Sequence, residues 1–179
     1  KGVHIVTPER HYPLFVATVL LKAQTVIECG TGPGNSLETF IKALKLTGGK
    51  VYTWDINSKW EEKFRSRKMK AEDPADSLVT DYENYVIFHV SDSIEAGHKW
   101  DKGDIDILYC DANHGYKHVT HELEAWGKFN PKIIFIHDTG GPGTKMVLGH
   151  PFRAAMEYAE KTGRNFFNLL TPQGLGVII

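Results

Sequence analysis

Residues 25–36 read Thr25-Val26-Ile27-Glu28-Cys29-Gly30-Thr31-Gly32-Pro33-Gly34-Asn35-Ser36. A short apolar, β-prone run leads into three glycines at alternate positions, and a helical pattern begins at Ser36. Glycine permits backbone angles and close approaches that a Cβ would block, and the first turn of a helix presents unpaired N–H groups to a ligand. The stretch therefore predicts a buried strand, a tight turn and a helix start that together hold a nucleotide-like cofactor.

The composition is that of a globular protein, and we expect a single domain over residues 1–179. The chain carries 21 basic and 22 acidic side chains, and this net charge of −1 favours neither nucleic acid nor a membrane as partner. The longest N-terminal apolar run, Leu14 to Leu21, is shorter than the roughly 20 residues that span a bilayer. Cys29 and Cys110 lie in apolar runs, which predicts a buried, reduced pair in a cytoplasmic protein. The oligomeric state is left open, a homo-oligomer included.

Strands alternate with helices along the chain, which is typical of an α/β fold with a mostly parallel sheet covered on both faces. Strands are predicted at 25–30, 50–56, 85–90, 104–111, 132–136, 166–170 and 175–179. Helices are predicted at 7–22, 36–46, 58–70, 93–100, 116–128 and 152–161. A short turn over 171–174 joins the last two strands, so these two form an antiparallel hairpin.

Acidic residues lie at or just after the carboxyl ends of the predicted strands. They are Glu28, Asp55, Asp92, Asp111 and Asp138. In an open α/β sheet the ligand crevice lies beyond the carboxyl ends of the strands, so these side chains are expected to border it. Asp55 comes 21 residues after Gly34, and an acid about 20 residues beyond a glycine turn commonly accepts hydrogen bonds from ribose hydroxyls.

These features together resemble the class I S-adenosylmethionine-dependent methyltransferases, which have a Rossmann-like fold with seven strands in the order 3-2-1-4-5-7-6. The resemblance implies that Asp55 binds the ribose, that Asp92 and Ser93 lie near the adenine, and that Glu28 holds the loop or the methionine ammonium. The full cofactor-binding set that it implies is Glu28, Gly30, Gly32, Gly34, Ser36, Asp55, Ile56, Asp92, Ser93 and Asp111.

A second stretch, Asp111-Ala112-Asn113-His114-Gly115-Tyr116, is similar to the Asp-Gly-x-His-x-Tyr segment of small-molecule O-methyltransferases. That group includes metal-dependent macrolide-sugar methyltransferases and relatives of cephalosporin hydroxylase-type proteins. The resemblance implies a hydroxylated small-molecule acceptor of sugar or polyketide type, with His114 and Asp111 as catalytic residues and His114 as the general base. It also implies a site for Mg²⁺ or Mn²⁺ at Asp111, His137 and Asp138, although relatives often carry an acid where this chain has His137.

Several plainer interpretations stay open beside these. Asp111 would cap the following helix, His114 would be a structural histidine, and the His137-Asp138 pair would brace the glycine-rich loop after it. His4, His11, His118 and His121 are expected at the surface, and the loop 139–150 is a candidate cover for the acceptor. Two other functions also stay open, a non-catalytic S-adenosylmethionine-binding module and a nicotinamide-dependent oxidoreductase.

Overall fold

The computed structural model describes residues 11–69, 81–140 and 149–179. Its strands are β1 (Thr25–Cys29), β2 (Lys50–Asp55), β3 (Val86–Val90), β4 (Ile107–Cys110), β5 (Ile133–His137), β6 (Phe166–Leu169) and β7 (Leu175–Ile178). Its helices are α1 (Tyr12–Leu20), α2 (Asn35–Thr47), α3 (Lys59–Met69), α4 (Ser93–Lys99), α5 (Tyr116–Gly127) and α6 (His150–Thr162), with a 3-10 turn at Tyr82–Asn84.

All seven strands form one sheet in the order β3-β2-β1-β4-β5-β7-β6. β7 lies antiparallel to both of its neighbours, β5 and β6, while the pairs from β3 to β5 are parallel. The predicted fold class, strand order and C-terminal hairpin are therefore confirmed. The strand order, with the antiparallel β7 inserted between β5 and β6, differs from the order 3-2-1-4-5-6 of the common dinucleotide-binding fold.

Apolar side chains cover the sheet on both faces. Helices α1, α2 and α3 pack on one face around Leu14, Phe40 and Phe64, and α4, α5 and α6 pack on the other around Trp100 and Trp126. Burial of apolar surface on this scale is the main force that holds the layers together. Because every parallel strand ends at the same edge, the acids that follow them meet there.

Some bounds differ from the predicted ones for local reasons. β4 begins at Ile107 rather than at 104, because the Asp106 carboxylate accepts hydrogen bonds from the N–H groups of Gln24 (2.7 Å) and Thr25 (3.0 Å). α1 ends at Leu20, two residues before the predicted end. The predicted start of that helix at Thr7 and most of the predicted cover loop lie outside the described residues.

The two cysteines are register partners on the adjacent strands β1 and β4, and both are buried and free. The predicted reduced pair is therefore confirmed, and burial raises the pKa of the Cys29 thiol. None of the helices in the described parts of the chain has the length and apolar character of a membrane-spanning segment.

Candidate functional site

The glycine loop after β1 is held against the end of β2 and against the start of the segment after β4. The N–H groups of Gly30 and Thr31 donate to the Trp54 carbonyl oxygen at 2.8 and 3.2 Å. Gly30 has φ +95° and faces the backbone of Asp111 so closely that a Cβ would lie 2.3 Å from its carbonyl oxygen. Gly34, with φ +80°, precedes the first turn of α2 as its N-cap. Gly30 is therefore needed for the close contact with Asp111, and Gly34 for the left-handed turn before α2.

The buried Glu28 side chain supports the loop from beneath. Its Oε1 accepts a hydrogen bond from the Ser36 hydroxyl and its Oε2 accepts one from the Thr53 hydroxyl, both at 2.6 Å. The Thr53 hydroxyl lies 2.7 Å from that of Thr31 in the loop. Burial raises the pKa of Glu28 to about 8, although the two donated hydrogen bonds lower it. Glu28 thus ties β1, β2 and α2 together, and it does not line the cavities described next.

Two cavities open beside the loop at the carboxyl edge of the sheet. The larger has a volume of about 520 Å³ and the smaller about 240 Å³. Gly30, Gly32 and Asp111 line both, so the cavities meet at the loop. The larger one is also lined by the predicted residues Asp55, Ile56, Asp92 and Ser93, and the smaller one by Ser36 and His137.

Backbone N–H groups hold the carboxylates of Asp55 and Asp92 in the larger cavity. Asp55 accepts from Gly32 (3.1 Å) through Oδ2 and from Asn57 (3.0 Å) through Oδ1. Asp92 caps α4, as predicted, and its Oδ1 accepts from Ile94 and Glu95, both at 2.9 Å. Both carboxylates are therefore fixed before a ligand arrives. Ile56 is 77 % exposed at the cavity wall, so an apolar surface faces the same space.

Two aspartates and two histidines converge where β4 and β5 end. Asp111 Oδ1 lies 2.9 Å from Nδ1 of His137 and 3.2 Å from Nε2 of His114, while Asp111 Oδ2 accepts from the Tyr109 hydroxyl at 3.0 Å. Asp138 approaches both histidines, with Oδ2 3.0 Å from His114 Nδ1 and Oδ1 3.1 Å from His137 Nδ1. His114 thus bridges the two carboxylates.

The charges of this cluster are strongly coupled. Hydrogen bonds to Asp111 and Asp138 raise the pKa of His114 to about 10. Burial opposes ionisation of Asp111, but the hydrogen bond from His114 and the closeness of the His137 ring hold the pKa of Asp111 below the ordinary value. The pKa of Asp138 is also held below its ordinary value. Burial opposes ionisation of Asp138, but the hydrogen bond from His114 favours it. Both carboxylates are therefore ionised at neutral pH.

The donor set of the cluster has the features of a cation site. Asp111, His114 and His137 each offer a ligand atom, and these atoms lie within 4.8 Å of one another. Nδ1 of His137 and Oδ1 of Asp138 are buried without a well-formed hydrogen bond among the described residues. Orphaned buried polar atoms are costly, and a shared cation would satisfy them. The residues present fit a divalent metal, and two imidazole nitrogens beside carboxylate oxygens suit Mn²⁺, Fe²⁺ or Zn²⁺ better than Mg²⁺.

Two of the plainer interpretations are wrong, those for Asp111 and His11. Gly115, not Asp111, is the N-cap of α5, and the side chain that accepts from its N–H is Asn113 at 2.8 Å. His11 is buried and lines the smaller cavity instead of lying at the surface, because it directly precedes α1 and turns inward there. His118 is half-buried in the wall of the larger cavity, where a hydrogen bond to the buried Glu122 holds it.

His11, His118 and Glu122 are the site residues that sequence reasoning missed. One signal was available for the last of these. Glu122 falls on the apolar face of α5 beside Leu123 and Trp126, and an acid on a core-facing stripe is unusual enough to mark a polar partner nearby.

Residues 27–139, more than half of the chain, match a protein family described as a methyltransferase domain. No curated protein sequence matches the chain.

Solved structures of similar fold include several methyltransferases. An O-methyltransferase from Bacillus cereus, solved with SAH, is 16% identical with a TM-score of 0.69, over 99% of this chain and 84% of that chain. The O-methyltransferase TomG from Streptomyces achromogenes, involved in tomaymycin synthesis and solved with SAM, is 14% identical with a TM-score of 0.69, over 98% and 81%. The methyltransferase domain of the bacterial protein CtHen1-C is 16% identical with a TM-score of 0.60, over 95% and 96%. Likeness at such low identity concerns the fold.

Proposed function

Because the chain belongs to this methyltransferase-domain family, we propose that it binds S-adenosylmethionine and transfers the methyl group to a hydroxyl of a small molecule. A sulfonium methyl group is already activated, so the protein has to align the acceptor oxygen and help remove its proton. Two of the solved structures of similar fold contain SAH or SAM, which supports the choice of cofactor.

The observation that carries the proposal is the pair of cavities that meet at the glycine loop. The larger cavity has the Asp55 carboxylate and the apolar Ile56 surface, which suit a ribose and an adenine. The smaller one is lined by Ser36 near the amino end of α2, where N–H groups favour a carboxylate. A cofactor with adenosine in the larger cavity and methionine in the smaller would have its sulfonium at the join, next to Gly30 and Asp111.

His114 and Asp111 are the proposed catalytic residues, and the acceptor hydroxyl is expected to approach them across the cofactor methyl. Asp111 lies at the join of the cavities and holds Nε2 of His114 at 3.2 Å, while Asp138 holds the other ring nitrogen at 3.0 Å. The two carboxylates fix the imidazole plane, so a proton at either nitrogen stays within hydrogen-bond reach of an oxygen. His114 acts as a base only in its neutral form, so one of its two ring protons first passes to solvent, and the nitrogen freed in this way then accepts the proton of the acceptor hydroxyl.

We assign Asp111, His137 and Asp138 as the residues that would hold a divalent metal, with His114 at the edge of the same cluster. When bound, the cation would supply positive charge beside both carboxylates, which lowers the pKa of His114 and of a nearby hydroxyl. Asp111 and Asp138 would hold the His114 ring between them, so that the acceptor hydroxyl meets the ring in one orientation. The donor set, with His137 among the ligands, favours Mn²⁺ over Mg²⁺.

Product formation tests the proposal directly. The protein is incubated with S-adenosylmethionine and a panel of hydroxylated sugars and polyketide-type alcohols, with and without a chelator, and methylated products are sought by mass spectrometry. We expect an O-methylated product that is lost with the chelator and restored by Mn²⁺. Cofactor binding without any product across the panel would favour a non-catalytic binding module instead.

A further inference from the structure

One side chain of the C-terminal hairpin reaches the segment that follows β5. Asn168 lies on β6, with β7 between it and β5, and its Oδ1 accepts a hydrogen bond from the Thr139 hydroxyl at 2.7 Å. Its Nδ2 donates to the Gly140 carbonyl oxygen at 3.1 Å. The Gly140 N–H in turn donates to the Gln173 carbonyl oxygen in the hairpin turn at 2.9 Å. The hairpin therefore holds both residues that directly follow Asp138.

Strand β7 leaves room for this contact to form across it. Gly176 is the register partner of Asn168 on one side and of Ile136 on the other. A Cβ on Gly176 would lie 2.9 Å from the Thr139 methyl group, which is closer than an ordinary contact. Glycine at this position therefore gives Thr139 the space in which it meets Asn168.

Packing alone does not require the polar pair. Thr139 is fully buried, and a valine there and a leucine at 168 would fill similar volumes without burying a hydroxyl or an amide. Burial of polar groups costs free energy unless they are hydrogen-bonded to each other. The pair therefore points to a need for orientation, since directed hydrogen bonds fix a segment more narrowly than apolar contacts do.

The backbone that is held in this way is uncommon. Asp138 has φ +56°, in the left-handed region that residues other than glycine adopt infrequently. Such a conformation persists where the surrounding structure enforces it. Here β5 fixes the chain before Asp138, and Asn168 fixes the chain after it. The result is that Oδ2 of Asp138 lies 3.0 Å from Nδ1 of His114.

We propose that Asn168 is a positioning residue for Asp138, and that its two hydrogen bonds keep the Asp138 carboxylate directed at His114. The inference rests on the proposed function, since it concerns one carboxylate of the proposed catalytic cluster. Asn168 lines neither of the two cavities described above. It therefore acts through the backbone after Asp138, without contact to the cofactor.

Asn168→Ala removes both hydrogen bonds and tests the inference with three measurements. They are turnover with an acceptor found in the panel, Mn²⁺ affinity by electron paramagnetic resonance, and affinity for S-adenosylhomocysteine (SAH) by calorimetry. We expect turnover and Mn²⁺ affinity each to fall by about tenfold, the scale for losing a contact that orients a metal ligand. SAH affinity should keep its wild-type value. A role in packing alone would lower the free energy of unfolding and leave turnover and Mn²⁺ affinity of the folded protein unchanged.

Two variants of Thr139 separate the hydroxyl from the shape of the side chain. Thr139→Val keeps the shape and should lower turnover and Mn²⁺ affinity, whereas Thr139→Ser keeps the hydroxyl and should retain most of both. Adding Thr139→Val to Asn168→Ala should have no further effect, because the contact between the two side chains is already lost. Independent, multiplying effects of the two changes would contradict a shared action on Asp138.

Asn165→Ala is the matched control. Asn165 is exposed directly before β6, and it bonds to the described residues through its backbone, so this variant should match the wild type in all three measurements. Wild-type turnover and Mn²⁺ affinity in Asn168→Ala would overturn the inference and leave the proposed function intact. A wild-type protein that binds neither SAH nor Mn²⁺ and forms no product would overturn the proposed function, and this inference with it.

Discussion

Gly30 and Asp111 are in direct backbone contact, although they lie 81 positions apart in the sequence. A Cβ on Gly30 would lie 2.3 Å from the Asp111 carbonyl oxygen and 2.6 Å from its carbonyl carbon. The contact joins the loop after β1 to the segment after β4, so the cofactor half of the site and its proposed catalytic half share one wall.

Gly30→Ala should therefore lower the free energy of unfolding by more than the cost of placing an alanine at a positive φ, because the new Cβ would also clash with the Asp111 backbone. Gly103 provides the control, because its φ of +87° is similar and nothing lies within 4 Å of its missing Cβ. We expect Gly103→Ala to cost about 1 kcal/mol and Gly30→Ala at least about 3 kcal/mol, measured by urea denaturation. Equal costs for the two variants would mean that the contact with Asp111 is not tight.

Glu28 should make stability depend on pH. Its pKa is raised from 4.5 to about 8 in the folded protein, so between these values the folded state keeps a proton that the unfolded state has lost. The free energy of unfolding should fall as the pH rises through this window. Glu28→Gln stays neutral, so its stability relative to the wild type should improve by about 1 kcal/mol or more between pH 5 and pH 8.

Glu124→Gln is the control for that experiment, because Glu124 is exposed on α5 and its partner Lys161 lies at the surface. Its stability difference from the wild type should change little with pH. Parallel pH curves for Glu28→Gln and the wild type would show that Glu28 is ionised in the folded protein.

His114→Ala should remove the proposed proton acceptor. We expect turnover to fall by about 100-fold or more, the usual scale for a general base, while affinity for SAH changes little, because His114 lines neither cavity. Turnover is measured with an acceptor found in the panel, and His121→Ala is the control. A variant with nearly wild-type turnover would leave His114 with a structural role only.

His137→Ala should weaken Mn²⁺ binding. The affinity is measured by electron paramagnetic resonance, which detects the free ion. The buried Nδ1 of His137 lies 2.9 Å from Asp111 Oδ1 and 3.1 Å from Asp138 Oδ1, so its loss removes one of the converging donors. We expect at least about tenfold weaker binding, with no change in His121→Ala. Unchanged Mn²⁺ affinity in His137→Ala would exclude His137 from the metal site.

Local patterns were enough to predict much of the fold. The run from Thr25 to Ser36 contains its own strand, turn and helix start, and Asp92 caps α4 as its neighbours in sequence dictate. The position of Asp55 at the cavity follows from the same reasoning, because parallel strands end at one edge.

The positions of the other site residues depend on tertiary packing. His118 lies in the cavity wall on α5, and Glu122 on the same helix is buried against Ser93 of α4. The double contact of His114 with Asp111 and Asp138 depends on a left-handed backbone at Asp138, φ +56°. Sequence spacing contains no information on either arrangement.

Calorimetric titration with SAH tests the central claim most directly, with Asp55→Ala and the control Asp104→Ala measured beside the wild type. Asp55 lies at the cavity, whereas Asp104 is exposed near the opposite end of β4. We predict saturable one-to-one binding to the wild type, about tenfold or more weaker binding to Asp55→Ala because the ribose loses its acceptor, and wild-type affinity for Asp104→Ala. An absence of binding to the wild type at millimolar SAH would contradict the account.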